Sequence, residues 1–316
     1  MRSTAPSPFQ VERTADGTFH FHIGDTTVAS YVTQPPTAQL ESPRPLLHPL
    51  RSLAGEVVTL SRPGDHLWHT GLSWALPNVG DDNFWGGPTY IRDQGYVQRA
   101  NNGRQENIEI TTADASTDGI TLTHRLDWLT ELGEVLFDEE RTLTVRARMD
   151  AGAPAWALIF STAMRNVSGQ DIPFGSPSTA GRDNAGYGGL FWRGPDSWKN
   201  GVIHTVAGPA GEELRGSRAP WMAYTGHPRS GSSTSVVMVD DSQNPTYPTE
   251  WFVRTEEYAG LCPAPFFSDE LIVKADDTLR LRYAVIIGDS DSGSGSEGSD
   301  VAQWAEWGRQ LLGASR

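Results

Sequence analysis

The sequence predicts an all-β protein: one large antiparallel β-sandwich closed by a C-terminal helix. Three observations carry this. Short runs of alternating β-branched and aromatic residues recur along the chain, turn dipeptides separate them, and helical periodicity is confined to the C-terminus. The composition agrees, since 33 Gly, 21 Pro and 11 Trp among 316 residues suit strands, turns and aromatic contacts. That length is a prior for two domains, but large all-β folds exceed it as single units. Residues 1–288 are therefore read as a single β-sandwich domain, 289–300 as a flexible acidic Gly/Ser linker, and 301–316 as a helix packed on the domain.

In chain order, Thr18–Ile23 alternates, and Glu56–Leu60 is a short β-branched strand. Ile108–Thr112, Ile120–Trp128 and Arg141–Arg148 follow as strands with one polar face; TLTVRAR sets Leu143, Val145 and Ala147 opposite Thr142, Thr144, Arg146 and Arg148. Trp156–Thr162, Ser235–Val239, Trp251–Thr255 and Leu279–Ile287 continue the pattern. Asp16-Gly17, Asp118-Gly119, Ser168-Gly169 and Asn200-Gly201 supply turns. Residues 205–219 read as a long excursion from a sheet. DSDSGSGSEGSD (289–300) is too polar to order itself, and Ser299 or Asp300 then caps a helix with Val301, Trp304, Leu311 and Leu312 as its apolar stripe.

The net charge of −14 makes nucleic acid an unsuitable partner, because phosphate backbones repel it. Part of the excess is concentrated in Asp138–Glu140 and Asp289–Asp300, which read as solvated surface. A single cysteine, Cys262, rules out an internal disulfide. MRSTAPSPFQVER lacks the apolar core of an export signal, and no apolar run approaches the roughly 18 residues a bilayer span needs; the expectation is a cytoplasmic protein without membrane contact. Walker, G-x-S-x-G and H-E-x-x-H signatures are absent, and GYGG (186–189) lacks a dinucleotide-binding context, so no nucleotide cofactor is expected.

Candidate chemistry concentrates in a few stretches. SRPGDHLWHTGLSWAL (61–76) places Asp65, His66 and His69 within five positions. Residues i and i+3 diverge in a strand but converge in a tight turn, which Pro63-Gly64 and Gly71 favour. Together the imidazoles suit acid–base work or a divalent metal ion; alternatively one packs and the other caps a loop. His48, held extended by Pro49, is a candidate third imidazole from a neighbouring strand. Residues 83–106 set Trp85, Tyr90 and Tyr96 among glycines, with Arg92, Gln98, Asn101 and Arg104 as polar partners; indoles and phenols stack on sugar C–H faces. In 160–195 a strand ends at Asn166, and a polar glycine-rich loop carries Arg182, Asn184, Tyr187 and Arg193. These are candidate ligands for an oxygen-rich substrate, the arginines suiting an enolate or carboxylate oxygen. In FVRTEEYAGLCPAPFF (252–267) Glu256 is the candidate general base, with a surface Arg254–Glu256 pair as the alternative. Cys262 reads as buried structure.

The runs RPLLHPLRSLAGEVVT, RPGDHLWHTGLSWAL, NFWGG, NAGYGGLFWRG and FVRTEEYAGLCPA closely resemble the bacterial DUF6807 family over about residues 40–290. That family also carries a methane-oxygenase (PmoA) label, which these residues do not support. More distantly, RNVSGQDIPFGSPSTAGRDNAGYGGLFWR is similar to the galactose-mutarotase supersandwich. That likeness implies a large antiparallel sandwich with a sugar-sized cleft. The catalytic histidine pair of the epimerases is not matched by His204 and His227, so simple mutarotation is not implied.

The family resemblance further implies a functional link to sugar dehydrogenases that make 3-keto sugars. The expectation is an enzyme acting on an oxidised (3-keto) or otherwise modified sugar, as a lyase, hydratase or epimerase, by proton abstraction beside a carbonyl. His48, His66 and His69 would hold a divalent metal or share acid–base work, Asp65 or Glu256 would be the base, and Arg182 and Arg193 would bind substrate oxygens. The alternative is a non-catalytic carbohydrate-binding sandwich.

Overall fold

Period-two alternation builds two large antiparallel sheets that face each other across one core. The computed structural model describes residues 7–149, 153–226, 233–290 and 297–314. Among these, one sheet of eight strands runs Phe9–Arg13, Thr18–Ile23, Thr26–Val32, Leu46–Leu50, Leu72–Ala75, Gly189–Arg193, Gly260–Ala264 and Glu250–Arg254 in spatial order. The other, of nine, runs Gly208–Ala210, Val202–Thr205, Trp221–Gly226, Ser233–Asp240, Thr278–Ser290, Ala155–Asn166, Val135–Arg148, Gly119–Leu129 and Arg104–Ser116. The all-β sandwich expected from the sequence is the fold observed.

Alternation decides which side chain faces which layer. Leu72, Trp74, Leu190, Trp192, Trp251, Val253 and Leu261 of the eight-stranded sheet meet Leu143, Leu158, Phe160, Met238, Val285 and Ile287 of the other in a single buried cluster. The residues between them point outward and need separate cover. On the nine-stranded sheet, Ala155, Ala157, Ile159, Val237, Val239, Ala284 and Ile286 are covered by the C-terminal helix through Val301, Trp304, Ala305 and Leu312. The approach is close: a Cβ on Gly288 would lie 2.4 Å from the Trp304 ring. On the eight-stranded sheet, Ala75, Phe191, Phe252, Cys262 and Ala264 are covered by loops that bring Trp85, Tyr258 and Phe267 onto them. That second outer face carries the cavity described below.

Thr18–Ile23 matches end to end, and apart from Glu56–Leu60 the other expected strands fall inside observed ones, save that Trp251–Thr255 stops one residue earlier, at Arg254. Glu56–Leu60 is corrected. It forms no strand, only a bridge between Arg51 and Val57, because Thr59 spends its hydroxyl on the Leu50 amide (3.0 Å) and on His48. The last strand runs to Ser290, with Asp289 accepting from Thr234 (2.7 Å), and the helix begins at Glu297, earlier than a Ser299 or Asp300 cap allows. Of the expected linker, residues 291–296 lie outside the described residues. Within the acidic run 138–140, Glu139 is not solvated surface. Strand parity turns it inward, where its carboxylate accepts from Arg141 (2.8 Å to each oxygen), Trp128 (2.7 Å) and Thr162 (2.7 Å). No helix among the described residues is long and apolar enough to cross a membrane.

Replacing Trp304 by Ala is expected to lower unfolding free energy by about 3–5 kcal/mol, as large aromatic truncations in a core do. Urea denaturation checks this; a change under about 1 kcal/mol would mean the helix adds little to the sheet it covers.

Candidate active site

Over the outer face of the eight-stranded sheet, three loops and a bend enclose a cavity of about 360 Å³. Its floor is Phe252, and its walls are His66, Trp68 and His69 from one loop, Trp85 from a second, Tyr187 from a third, and Glu257 and Tyr258 from the bend that follows Arg254. The volume suits a monosaccharide-sized ligand. Trp85 stacks on Tyr187 at 4.6 Å and on Phe191 at 4.8 Å, and Tyr187 meets Phe252 at 5.7 Å.

One buried arginine ties the first two loops together. Arg44 is 2 % exposed. Its Nη1 donates to the carbonyls of Glu41 (3.0 Å), Ser42 (2.9 Å) and Trp85 (2.9 Å), its Nη2 to that of Trp68 (2.6 Å), and its Nε to Ser73 Oγ (3.2 Å) on the sheet. Burial lowers its pKa to about 9, with Glu41 opposing the shift, so the guanidinium stays charged at neutral pH. Arg62 closes on the Glu41 carboxylate with two hydrogen bonds of 2.7 and 2.9 Å. Gly87, at φ +68, makes the approach possible, since a Cβ there would lie 2.7 Å from the Trp68 ring.

The two histidines meet as the turn argument requires. The His66 amide donates to Pro63 and the His69 amide to His66, both at 3.0 Å, giving successive turns. The imidazoles stack with centroids 4.6 Å apart and planes 20° from parallel. Asp65 Oδ2 lies 3.0 Å from His66 Nδ1. A carboxylate only accepts, so Nδ1 carries the proton and Nε2 keeps its lone pair. The same bond holds the Asp65 carboxyl below its usual range. His69 is enclosed by Trp85, Phe191 and Tyr258, and its Nδ1 has no hydrogen-bond partner among the described residues. Burial first, then the charges of His66, Arg193 and Arg44, push its pKa well below the ordinary value, so it is neutral. Of the pair, only His66 has a carboxylate beside it to balance an added proton.

The remaining wall is phenolic and cationic. Arg182 lies over the Tyr96 ring (4.8 Å) and donates to its hydroxyl, which lies 3.1 Å from that of Tyr187. Arg254 pairs with Glu212 (2.9 Å) and Glu257 (3.7 Å), and Arg215 also pairs with Glu212. Arg193 lies 4.3 Å over the Tyr258 ring, behind the histidines. Burial raises the Tyr258 hydroxyl to about 12 and Tyr187 well above its ordinary value, so both are donors at neutral pH.

Of the expected site residues, His66, His69, Trp85, Arg182 and Tyr187 line the cavity, with Asp65 behind His66. His48 does not join them. It lies beside Gly71, but its Nδ1 bonds Thr59 Oγ1 at 2.9 Å, and its pKa is lowered by burial and then Arg51. No group of three His, Cys, Asp or Glu among the described residues is placed to hold a metal ion, so the three-histidine set is not assembled. Glu256 lies past the strand end at Arg254, exposed, with Glu257 at the cavity in its place. Arg104 pairs with Glu106 at 3.5 Å on the other sheet, and Asn184 is exposed at φ 51. Arg193 is buried, with Asp196 as its ion pair at 3.1 Å. Arg44, Glu212, Glu257 and Tyr258 were not foreseen; only Arg44 left a signal, a lone cation opening the apolar run RPLLHPL.

This geometry defines a β-sandwich with an aromatic cleft holding a histidine pair. The chain belongs to DUF6807, a family of unknown function, whose model matches residues 18–301. No curated protein matches it. Among solved structures it is similar to one named as a polysaccharide lyase, at 9% identity and TM-score 0.32, covering 91% of this chain and 33% of the other; the chain thus spans about a third of that protein. A galactose mutarotase related enzyme from Lactobacillus acidophilus is similar at 10% identity and TM-score 0.33, over 90% of this chain and 98% of the other.

Replacing Arg44 by Met is expected to cost about 3 kcal/mol or more, because several buried acceptors lose their donor together. A urea midpoint shift with altered tryptophan emission from Trp68 and Trp85 checks this. The unfolded chain binds a proton on residue 69 near pH 6.5 and the folded one does not, so His69 makes stability fall as pH drops below 6.5. Between pH 6.5 and 5, His69→Gln is expected to flatten that decline by an amount that rises toward about 1.4 kcal/mol per pH unit. Parallel slopes in denaturant titrations of the two proteins would contradict a neutral His69.

Proposed function

We propose that the protein is a carbohydrate-active enzyme that removes a proton beside a carbonyl on an oxidised sugar. The observation that carries this is the His66–His69 stack inside an aromatic cleft, with Asp65 on His66 Nδ1 and no partner on His69 Nδ1. Aromatic walls take the C–H face of a sugar ring. His66 accepts the proton at Nε2, and Asp65 balances the imidazolium that forms. The electron pair moves onto the carbonyl oxygen, where Tyr258 and Arg254 are the cavity's donors to an enolate.

On a 3-keto glycoside the proton leaves C2. Re-forming the C3 carbonyl makes a C1–C2 double bond and breaks the bond from C1 to its oxygen substituent. The proton held on His66 passes to the departing oxygen. Such a substrate is itself the product of a sugar oxidation, so a sugar dehydrogenase is the proposed functional partner. The base is His66 rather than Glu256, and no step is routed through a metal.

The same aromatic walls suit a non-catalytic sugar-binding module. Nuclear magnetic resonance of a 3-keto glucoside incubated with the protein separates the two readings. Wild type is expected to release the aglycone, and His66→Gln to lose about 10²–10⁴ of the rate while still binding the sugar. Full activity in His66→Gln removes this mechanism; binding without turnover in wild type leaves the module.

A further inference from the structure

We propose that the carbohydrate taken by this cleft carries a carboxylate, and that Arg182 is the residue that holds it. This rests on the reading of the cleft as a sugar site and adds its substrate class. Each carboxylate beside the cleft already has a partner other than Arg182 among the described residues. Arg254 and Arg215 share Glu212, and Glu257 lies beside Arg254, so two guanidiniums meet two carboxylates. Asp65 answers His66, and Asp196 answers Arg193. Arg182 is left over: it lines the cavity and has no carboxylate partner among the described residues.

What Arg182 does touch fixes its place rather than its charge. Its guanidinium lies 4.8 Å over the Tyr96 ring and donates to the Tyr96 hydroxyl. A guanidinium carries five N–H donors, and that contact uses one of them. A second guanidinium backs it. Arg92 packs against Gly181, where a Cβ would lie 2.9 Å from its Cζ, and it too has no ion pair among the described residues. In a chain of net charge −14, a cavity-lining guanidinium without a carboxylate partner, with a second guanidinium close behind it, runs against the overall field.

A planar guanidinium fork without a carboxylate of its own matches a carboxylate, which accepts two parallel hydrogen bonds. From Arg182 the contacts run through Tyr96 and Tyr187 to Trp85 and His69. A sugar ring stacked on those aromatics therefore presents its carboxylate at one end and its reacting carbon to the histidines at the other.

Titration calorimetry tests this with the full chain at low salt. The probes are the methyl glycosides of D-glucuronic and D-galacturonic acid, those of D-glucose and D-galactose, and D-glucose 6-phosphate. At least one acid is expected to bind about tenfold more tightly than its neutral counterpart. Arg182→Gln should bring that ratio close to one, Arg182→Lys should keep part of it, and high salt should shrink it in wild type. Equal binding of acid and neutral pairs overturns the proposal and leaves the sugar site standing. A ratio unchanged in Arg182→Gln overturns the assignment of Arg182. Tightest binding of the phosphate overturns the carboxylate. If no sugar of either kind binds, the sugar reading falls and this proposal with it.

Discussion

The cleft exists because one buried guanidinium is fully answered. Arg44 lies where the outer face of the eight-stranded sheet meets the two loops that carry Trp68 and Trp85. Its donors reach carbonyls in both loops and a hydroxyl on the sheet. Such a charge, stripped of one or two acceptors, would cost more than it returns. With all of them in place it fixes the carbonyls of Trp68 and Trp85, and through them the indoles and the turn that stacks His66 on His69. Glu41 sits almost buried beside it, with its carboxylate closed off by Arg62.

Sheet parity then explains why the cleft lies on this face. Each sheet has one side in the common core and one side to cover. The nine-stranded sheet solves this with a helix that covers it mainly through an apolar face. The eight-stranded sheet solves it with loops, and loops bring polar groups and leave space between them. Phe191 and Phe252 alternate with the core residues Leu190, Trp192, Trp251 and Val253 and so face outward, where Phe252 becomes the floor of a cavity. The same alternation puts Arg193 and Arg254 on the cavity side of their strands.

Local pattern made the strands legible, and local spacing made the histidine turn legible. Both depend on residues near each other in sequence. His66 and His69 needed only Pro63, Gly64 and Gly71 to be placed together. The failures are of two kinds. Glu256 was chosen by extending strand parity past Arg254, where the chain bends and Glu257 takes the place at the cavity. Glu139 was assigned to the surface because acids usually lie there; its inward parity was visible, but Arg141, Trp128 and Thr162, which make burial tolerable, come from three strands. The same is true of Arg44, whose acceptors reach as far as residue 85. Expecting His48 beside His69 was correct as to neighbouring strands, since Leu46 and Leu47 pair with Ser73 and Leu72. A side-chain hydroxyl, Thr59, decided where that imidazole went.

Two imidazoles stacked face to face would repel if both were charged, and this arrangement avoids that by making them unequal. His69 is walled in by aromatic rings and flanked by three positive or protonatable groups, His66, Arg193 and Arg44, so a proton there is strongly disfavoured. His66 is half-exposed and touches Asp65. The outer ring is the one with a carboxylate beside it. The inner ring remains a neutral, polarisable surface with a nitrogen to spare. Paired titratable groups whose surroundings drive them apart in this way are the mark of acid–base sites. A binding module has no use for the difference, because stacking on a sugar asks nothing of the protonation state. The asymmetry of the two histidines, more than their number, is what favours chemistry in this cleft.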